Sequence, residues 1–520
     1  MEKRWGKLAP VDSTRLNFVQ QWNDDAGPAV DAEPGPSGLY TAKYVLEGAP
    51  GVSVDVLDAS PLPFGLVRNG VAPDHPEVKL VTTTFDAMAD RFSDRFRFMG
   101  NVGVGKSGLG EADGVPQPRV ALGDLREAYD AVVLAYGAEA EKSLDGVDGA
   151  DLEGIVPARA FVEWYNGALG AADMEGLVRA RVANVDDASV AVIGHGNVAL
   201  DVARMLVSPP EALRATDMPR SVGDVLAAAY QSLGKVTAIG RRGPQHAACT
   251  TKELREMTKL SGLSVHARGV AHADEWSPKH VSVAKALAGD RVRTRVFKLL
   301  ASAFEHGHGS GLNEPVAAAS AKAFTMAFYT QPIGFVADET GSGVAGVKVQ
   351  LMERDPNDPN ASRAVAGASA VIPASLVVTS IGYRSVPLPG APFDEVRGVV
   401  PNVAGRVVGE DSLYAAGWVK RGPRGVIVAT LNDAVETADA VVSDLAAKEA
   451  GVARPAPDLA ALAGLDPALV DEWVTTYADW KALDAMEIAA GSASGQSRAK
   501  LTTRADVFAA LASIRSGGQA

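Results

Sequence analysis

Cysteine is almost missing from these 520 residues: there is one, Cys249. A lone thiol cannot form an internal disulfide redox pair, and an iron–sulfur cluster usually takes about four cysteines. Any electron chemistry must therefore use a bound organic cofactor or a partner's metal, and no resident metal is expected. Long apolar runs are also missing: none reaches the roughly 18 residues that suggest a membrane span. Net positive charge is missing as well. The formal charge of −13 argues against general nucleic-acid binding, though it leaves room for a local basic patch. The N-terminal stretch "MEKRWGKLAPVDSTRLNFVQQWNDD" contains acidic residues and no apolar signal core, so it reads as neither a secretory nor a transit peptide. What is abundant is glycine, 53 residues, within an apolar share of 47%. That composition fits an α/β globular protein, and the length suggests about two or three domains.

The chain twice follows a strand–loop–helix–strand order, which implies parallel, doubly wound sheets. The second instance is the stronger. In "VAVIGHGNVALD" an apolar strand runs into Gly194, which permits a tight turn. Gly196 lets the backbone approach a pyrophosphate, and Ala199 allows close helix–strand packing. The helix expected from Asn197 then points its N-terminus at the phosphates. The next strand, "GKVTAIGRRGP", ends in Arg241 and Arg242. A carboxylate there would suit the ribose of NAD, whereas the planar donor fork of arginine suits the 2′-phosphate of NADP. The plain alternative is a solvated surface pair.

The first instance, "AEPGPSGLYTAKYVLE", keeps the later glycines of the fingerprint as Gly35 and Gly38, but Glu33 stands where the first glycine belongs. Asp31 stands where an apolar strand should be ending. Asp58 closes the strand "GVSVDVLDAS" about twenty residues after Gly38, a spacing that suits a ribose-binding acid; it reads equally as a turn residue. Two dinucleotide units suggest two dinucleotides, FAD in the first and NADPH in the second. In "GWVKRGPRGVIVAT", Trp418 is either a core residue or a platform for a flat ring, and the helix that follows offers a second positive N-terminus.

Longer blocks carry a resemblance. "PLPFGLVRNGVAPDHPEVK", "RFRFMGNVGVG", "AVVLAYGAE", "AFVEWYNG", "IGHGNVALDVARML", "GRRGPQHAACTTKELREM", "TSIGYRSVPLPG", "GWVKRGPRGVI" and the tail "DWKALDAMEIAAG" together resemble the adrenodoxin reductase family, NADPH-dependent flavoproteins that reduce small [2Fe–2S] ferredoxins. The likeness runs from Gly35 nearly to the C-terminus and is closer to the mitochondrial branch.

The resemblance implies roles. Ser37, Asp58, Leu66, Val102, Trp418 and Gly425, Val426 and Ile427 match FAD-contacting positions. His195, Asn197 and Val198, with Gly194 and Gly196, match the NADP phosphate loop. Arg241 and Arg242 match the 2′-phosphate site, Glu253 another NADP contact, and Gly425 also faces the nicotinamide in the family. His75, which unaided reads as structural, and Glu256 match a polar pair near the flavin with a proton-handling role. Lys142 stands where bacterial relatives have an NADP-contacting arginine, and His195 replaces the more usual Asn or Gln while keeping a donor. Arg291, Arg295 and Arg255 match positions that receive an acidic ferredoxin in the mitochondrial branch; on residues alone, "GDRVRTRVFKLL" is equally a solvated charged segment.

The expected fold is α/β, with two Rossmann-like domains and the NADP domain inserted into a discontinuous FAD domain. The expected boundaries are 28–144 and 376–520 for FAD and 145–375 for NADP. Residues 1–27 are expected to be an atypical segment outside the family pattern, because only Ala29 and Val30 precede Asp31 as an apolar strand. The expected function is electron transfer from NADPH through FAD to a small acidic [2Fe–2S] ferredoxin. The alternative is an NADPH-binding homologue that holds FAD poorly and is inactive as given. The resemblance implies the mitochondrial matrix, with the cytoplasm as the alternative.

Overall fold

The computed structural model describes residues 15–19, 36–144, 146–270, 273–308, 322–358, 360–425, 427–447 and 456–517. They divide into two compact units. One comprises the described residues of Met1–Lys142, Asn166–Ala171 and Gly382–Ala520; the other comprises those of Ser143–Tyr165 and Ala172–Ile381.

The first unit is built on a seven-stranded sheet. Its order is Asn402–Val403, Arg406–Val407, Leu413–Ala415, Ala131–Leu134, Arg15–Val19, Ser53–Asp58, Phe96–Gly100. The last five run parallel. Sequence order reverses on either side of Arg15–Val19, and a doubly wound sheet takes its ligand at such a switch point, beyond the carboxyl ends of the strands.

The central strand corrects the expectation for the N-terminus. Within the segment expected to be atypical, residues 15–19 form a strand of the sheet. "RLNFV" fills the slot, with Leu16 opposite Val54 on one side and Ala131 on the other. The Arg15 N–H donates to Asp130 Oδ2 at 2.9 Å, and the Asp130 N–H returns a bond to the Arg15 carbonyl at 3.0 Å. Leu16 and Asn17 are fully buried. An arginine and a buried asparagine in five residues hide this strand from a search for a continuous apolar run, the usual mark of a central parallel strand. Ala29, Val30, Asp31, Glu33 and Gly35 lie outside the described residues.

Helix Pro36–Gly48 follows and packs against helix Ile427–Ala447. Leu39, Ala42, Val45 and Leu46 from the first meet Ala434, Ala438, Val441 and Leu445 from the second. Each fully buried leucine or valine contributes about 1.5–3 kcal/mol over an exposed one.

The second unit holds a seven-stranded, wholly parallel sheet. Its order is Glu305–His308, Leu263–Val270, Lys322–Ala327, Leu233–Ile239, Ala188–Ile193, Leu376–Thr379, Ile155–Pro157. An antiparallel three-stranded sheet, Thr330–Ala337, Val344–Arg354 and Ser362–Pro373, belongs to the same unit. Leu376–Thr379 pairs with Ala188–Ile193, residue 376 against 190. The expected boundary at 375/376 is therefore misplaced: this strand belongs to the second unit, and the division falls after Ile381. "SLVVTS" is apolar enough for either sheet, so the sequence alone gave no basis for the choice.

Candidate functional site

In the second unit, Ala188–Ile193 runs into Gly194, whose φ is 143°. A β-carbon there would lie 2.2 Å from the Ser380 carbonyl oxygen, so the close approach of the two strand ends requires glycine. Gly196 caps helix Asn197–Val207 with no side-chain bond, and the first turn carries no acidic residue. Backbone N–H groups there are not taken by a side-chain cap, the arrangement that receives a pyrophosphate. Ala199 is fully buried against the sheet.

His195 differs from expectation. Its ring does not supply the phosphate donor: Nε2 lies 3.0 Å from the Ala238 carbonyl, an acceptor only, so Nε2 carries the proton. Nδ1 faces Gly240, where a β-carbon would lie 2.4 Å away. The ring meets Phe328 edge to face at 4.7 Å. Desolvation first, then the charge of Arg242, push its pKa down to about 4, with the Ala238 bond opposing. The imidazole is thus neutral at working pH. Between about pH 6.5 and 4 the unfolded chain binds this proton and the folded one does not, so stability is lost as pH falls through that window. An NMR titration is expected to show the His195 ring titrating near 4; a value close to 6.5 would contradict this packing.

Asn197 Oδ1 accepts the Thr250 N–H at 2.8 Å, tying the phosphate-loop helix to helix Thr251–Lys259. Arg204, fully buried, strengthens that tie. It pairs with Asp201 at 2.6 Å, Glu253 at 3.0 Å and Glu256 at 3.6 Å. Removing one partner of such a buried network costs about 3–5 kcal/mol. Glu253 thus has its carboxylate engaged by Arg204 and its N–H by the Thr250 cap. Val198 lies in the first helical turn, half-buried.

Arg241 and Arg242 are exposed just beyond strand Leu233–Ile239. Desolvation, then the charges of Arg241 and Arg293, pull the Arg242 guanidinium below its usual pKa. Arg293 lies on helix Arg291–Ala303, which packs against the turn Pro244–His246 and against helix Thr251–Lys259. Sequence reasoning missed Arg293 as a neighbour of the strand-end pair, because "RVRTR" reads as one charged run. Arg255, Arg291 and Arg295 are exposed on the two packed helices, while Val296, Phe297 and Leu300 bury the other face of the second. Cys249 is buried, and desolvation pushes its thiol up to about 12.

In the first unit, Ser37 and Gly38 are buried in the opening turn of helix Pro36–Gly48, which has no acidic residue there. Asp58 is fully buried at the carboxyl tip of its strand and accepts the Ser60 N–H at 2.9 Å. The Val102 N–H donates to the Asp58 carbonyl at 2.8 Å, bringing the strand ends together. Leu66 begins the short helix Leu66–Asn69.

Gly417, at φ 76°, precedes Trp418; a β-carbon on it would strike Ser37 Oγ at 2.3 Å. Trp418 stacks on Tyr383, 5.8 Å between centroids and 20° between planes. Buried Lys420 bonds Asp433, Glu436 and Thr437, which fixes the Trp418 turn to helix Ile427–Ala447. Gly425 is exposed just before that helix; Val426 lies outside the described residues, and Ile427 is the first helical residue. His75 is buried at the N-terminal end of helix Pro76–Lys79, and Lys142 is exposed. His75 and Glu256 belong to different units.

Strand Ala188–Ile193 runs into a helix whose first turn carries no acidic side chain, the first turn of helix Pro36–Gly48 carries none either, and a buried carboxylate in one unit contrasts with neighbouring arginines in the other. Helix N-termini of this kind suit a pyrophosphate, a strand-end carboxylate suits a free ribose, and arginines suit a phosphorylated one. Fold and sites therefore define a protein that binds two dinucleotides.

No family model matches the chain. It is 40% identical over 514 residues to the NADPH:adrenodoxin oxidoreductase, mitochondrial, of Bos taurus, covering 96% of each chain. It is 36% identical over 490 residues to the NADPH-ferredoxin reductase FprA of Mycobacterium tuberculosis, covering 91% of this chain and 96% of that one. The solved structure of Mycobacterium tuberculosis FprA in complex with NADPH superposes with a TM-score of 0.76 at 32% identity, over 96% of this chain and 100% of that one. The chain belongs to the NADPH:adrenodoxin oxidoreductase family. It is an oxidoreductase, an NADPH-dependent flavoprotein whose cofactors are FAD and NADP(H).

Proposed function

We propose that this chain passes electrons from NADPH through FAD to a small acidic [2Fe–2S] ferredoxin. The observation that carries the partner is the exposed set Arg255, Arg291 and Arg295 on two packed helices, in a chain of net charge −13. An acidic protein is repelled by most of such a surface and drawn to that patch. The names of the relatives, an adrenodoxin oxidoreductase and a ferredoxin reductase, support the same class of partner.

Bound FAD supplies the conversion of a two-electron hydride into single electrons. The chain's own residues hold and orient. Ser37, Gly38 and Gly35 are proposed for the FAD pyrophosphate, Asp58 for its ribose, Leu66 and Val102 for its flanks, and Trp418 with residues 425–427 for the ring end. Gly194 to Val198 are proposed for the NADP pyrophosphate, Arg241 and Arg242 for the 2′-phosphate, and Glu253 and Lys142 for further NADP contacts. His75 and Glu256 are proposed to handle protons near the flavin. A mitochondrial location is proposed on the relatives' names; no helix among the described residues is long and apolar enough to cross a membrane.

The rival reading, a chain that holds FAD poorly, rested on a missing first strand and on Glu33. Arg15–Val19 occupies that strand position, which supports a working FAD site. The test is NADPH-driven reduction of an acidic [2Fe–2S] ferredoxin, followed with cytochrome c as final acceptor, beside flavin absorbance of the purified chain. About one FAD per chain and ferredoxin-dependent turnover are expected. Protein without flavin would favour the rival, and turnover indifferent to ferredoxin would remove the partner.

A further inference from the structure

The C-terminal segment carries an arginine that no part of the electron-transfer chemistry uses. Arg504, the first residue of helix Arg504–Arg515, is 1% exposed. Its Nε donates to Asp113 Oδ2 at 2.7 Å. Nη1 donates to the Ala59 carbonyl at 2.8 Å and to Asn101 Oδ1 at 3.1 Å. Ala59 follows Asp58 directly, and Asn101 precedes Val102 directly. One guanidinium therefore holds both turns that shape the ends of strands Ser53–Asp58 and Phe96–Gly100.

The surrounding bonds lock the same two turns to each other. The Asn101 N–H donates to the Ser60 carbonyl at 3.0 Å, with Asn101 in the left-handed region at φ 61°. Its side-chain amide donates to the carbonyls of Pro116 and Trp473 at 3.0 and 2.9 Å. Thr475, fully buried, donates its hydroxyl to the Pro61 carbonyl at 2.6 Å and exchanges two backbone bonds with Gly100. The segment from Trp473 to Arg504 thus closes the back of the Asp58–Val102 corner with directional bonds to carbonyls. A strained asparagine persists only where its surroundings over-determine it, and such residues cluster at binding sites.

We propose that Arg504 is a positioning residue for the adenosine half of FAD: it holds the Ala59 and Asn101 turns so that Asp58 and Val102 face the ligand in fixed geometry. This rests on placing the FAD ribose at Asp58. Arginine suits the task because its planar fork reaches several acceptors in fixed directions; the compact ammonium of lysine keeps the charge but loses the fork.

The test uses the full chain, stripped of flavin and titrated with FAD by fluorescence, for Arg504→Lys, Arg504→Met and Asp58→Asn. Loss of directed bonds is expected to raise the FAD Kd about tenfold or more in Arg504→Lys. The visible spectrum and reduction potential of the FAD-loaded variant should match the parent's, because the ring end of the site is untouched. Arg504→Met should be worse still; if it does not fold, Arg504→Lys decides. An unchanged Kd in folded Arg504→Lys overturns the proposal, as does a weakened Kd accompanied by a shifted spectrum or potential, which marks general loosening. If Asp58→Asn also leaves Kd unchanged, the ribose placement fails and takes the proposal with it. If Asp58→Asn weakens FAD and Arg504→Lys does not, only the proposal falls.

Discussion

Replacing Arg241 and Arg242 with glutamine is expected to lower the preference for NADPH over NADH by about tenfold or more per arginine, since a hydrogen bond to a charged group contributes roughly 1.5–3 kcal/mol. Both side chains are exposed at a strand end, and Arg242 feels the like charges of Arg241 and Arg293. Grouped cations of this kind relax when a dianion arrives. NADPH carries the 2′-phosphate dianion and NADH does not, so the loss should fall far more on NADPH than on NADH. The measurement is kcat/KM for both nucleotides with a small acceptor. Equal losses for the two would remove the 2′-phosphate assignment. Arg293→Gln should show a smaller change in the same direction.

The double variant Arg291→Glu, Arg295→Glu is expected to cut ferredoxin reduction steeply and to flatten its salt dependence. The two residues lie on one helix, four apart, and both are exposed, so they share a face. Steered association weakens as salt screens charge, and reversing the patch removes the attraction that salt would screen. NADPH oxidation by a small uncharged acceptor needs no docked protein and should be nearly unchanged. If both activities fall together, or neither falls, this patch is not a ferredoxin site. Arg293 is left intact in this variant, which keeps the nucleotide side separate from the docking side.

The second unit was the more legible in sequence. Its fingerprint strand is a continuous apolar run, its glycine sits where a β-carbon would collide with Ser380, and its helix begins at Asn197 as the pattern requires. The first unit was harder for a physical reason: its central strand contains Arg15 and Asn17, so the apolar signal is broken, and the fingerprint glycines stand well after it. Side-chain direction was also hidden. His195 occupies a phosphate-loop position, yet its ring turns to Ala238. Glu253 matches an NADP-contact position, while Arg204, a lone arginine in a mostly apolar helix, engages its carboxylate. Arg504 has no sequence signal, because its acceptors are backbone carbonyls and side chains about 390 to 445 positions away.

The solitary sulfhydryl gives this flavoprotein a chemical quietness. The thiolate is the form that attacks alkylating agents and peroxides. Cys249 is 4% exposed and its proton is held up to about 12. In the folded state this chain presents oxidants no exposed cysteine. Thiol labelling is correspondingly a clock for one event: it advances only when the second unit opens around Cys249, and it is blind to the first.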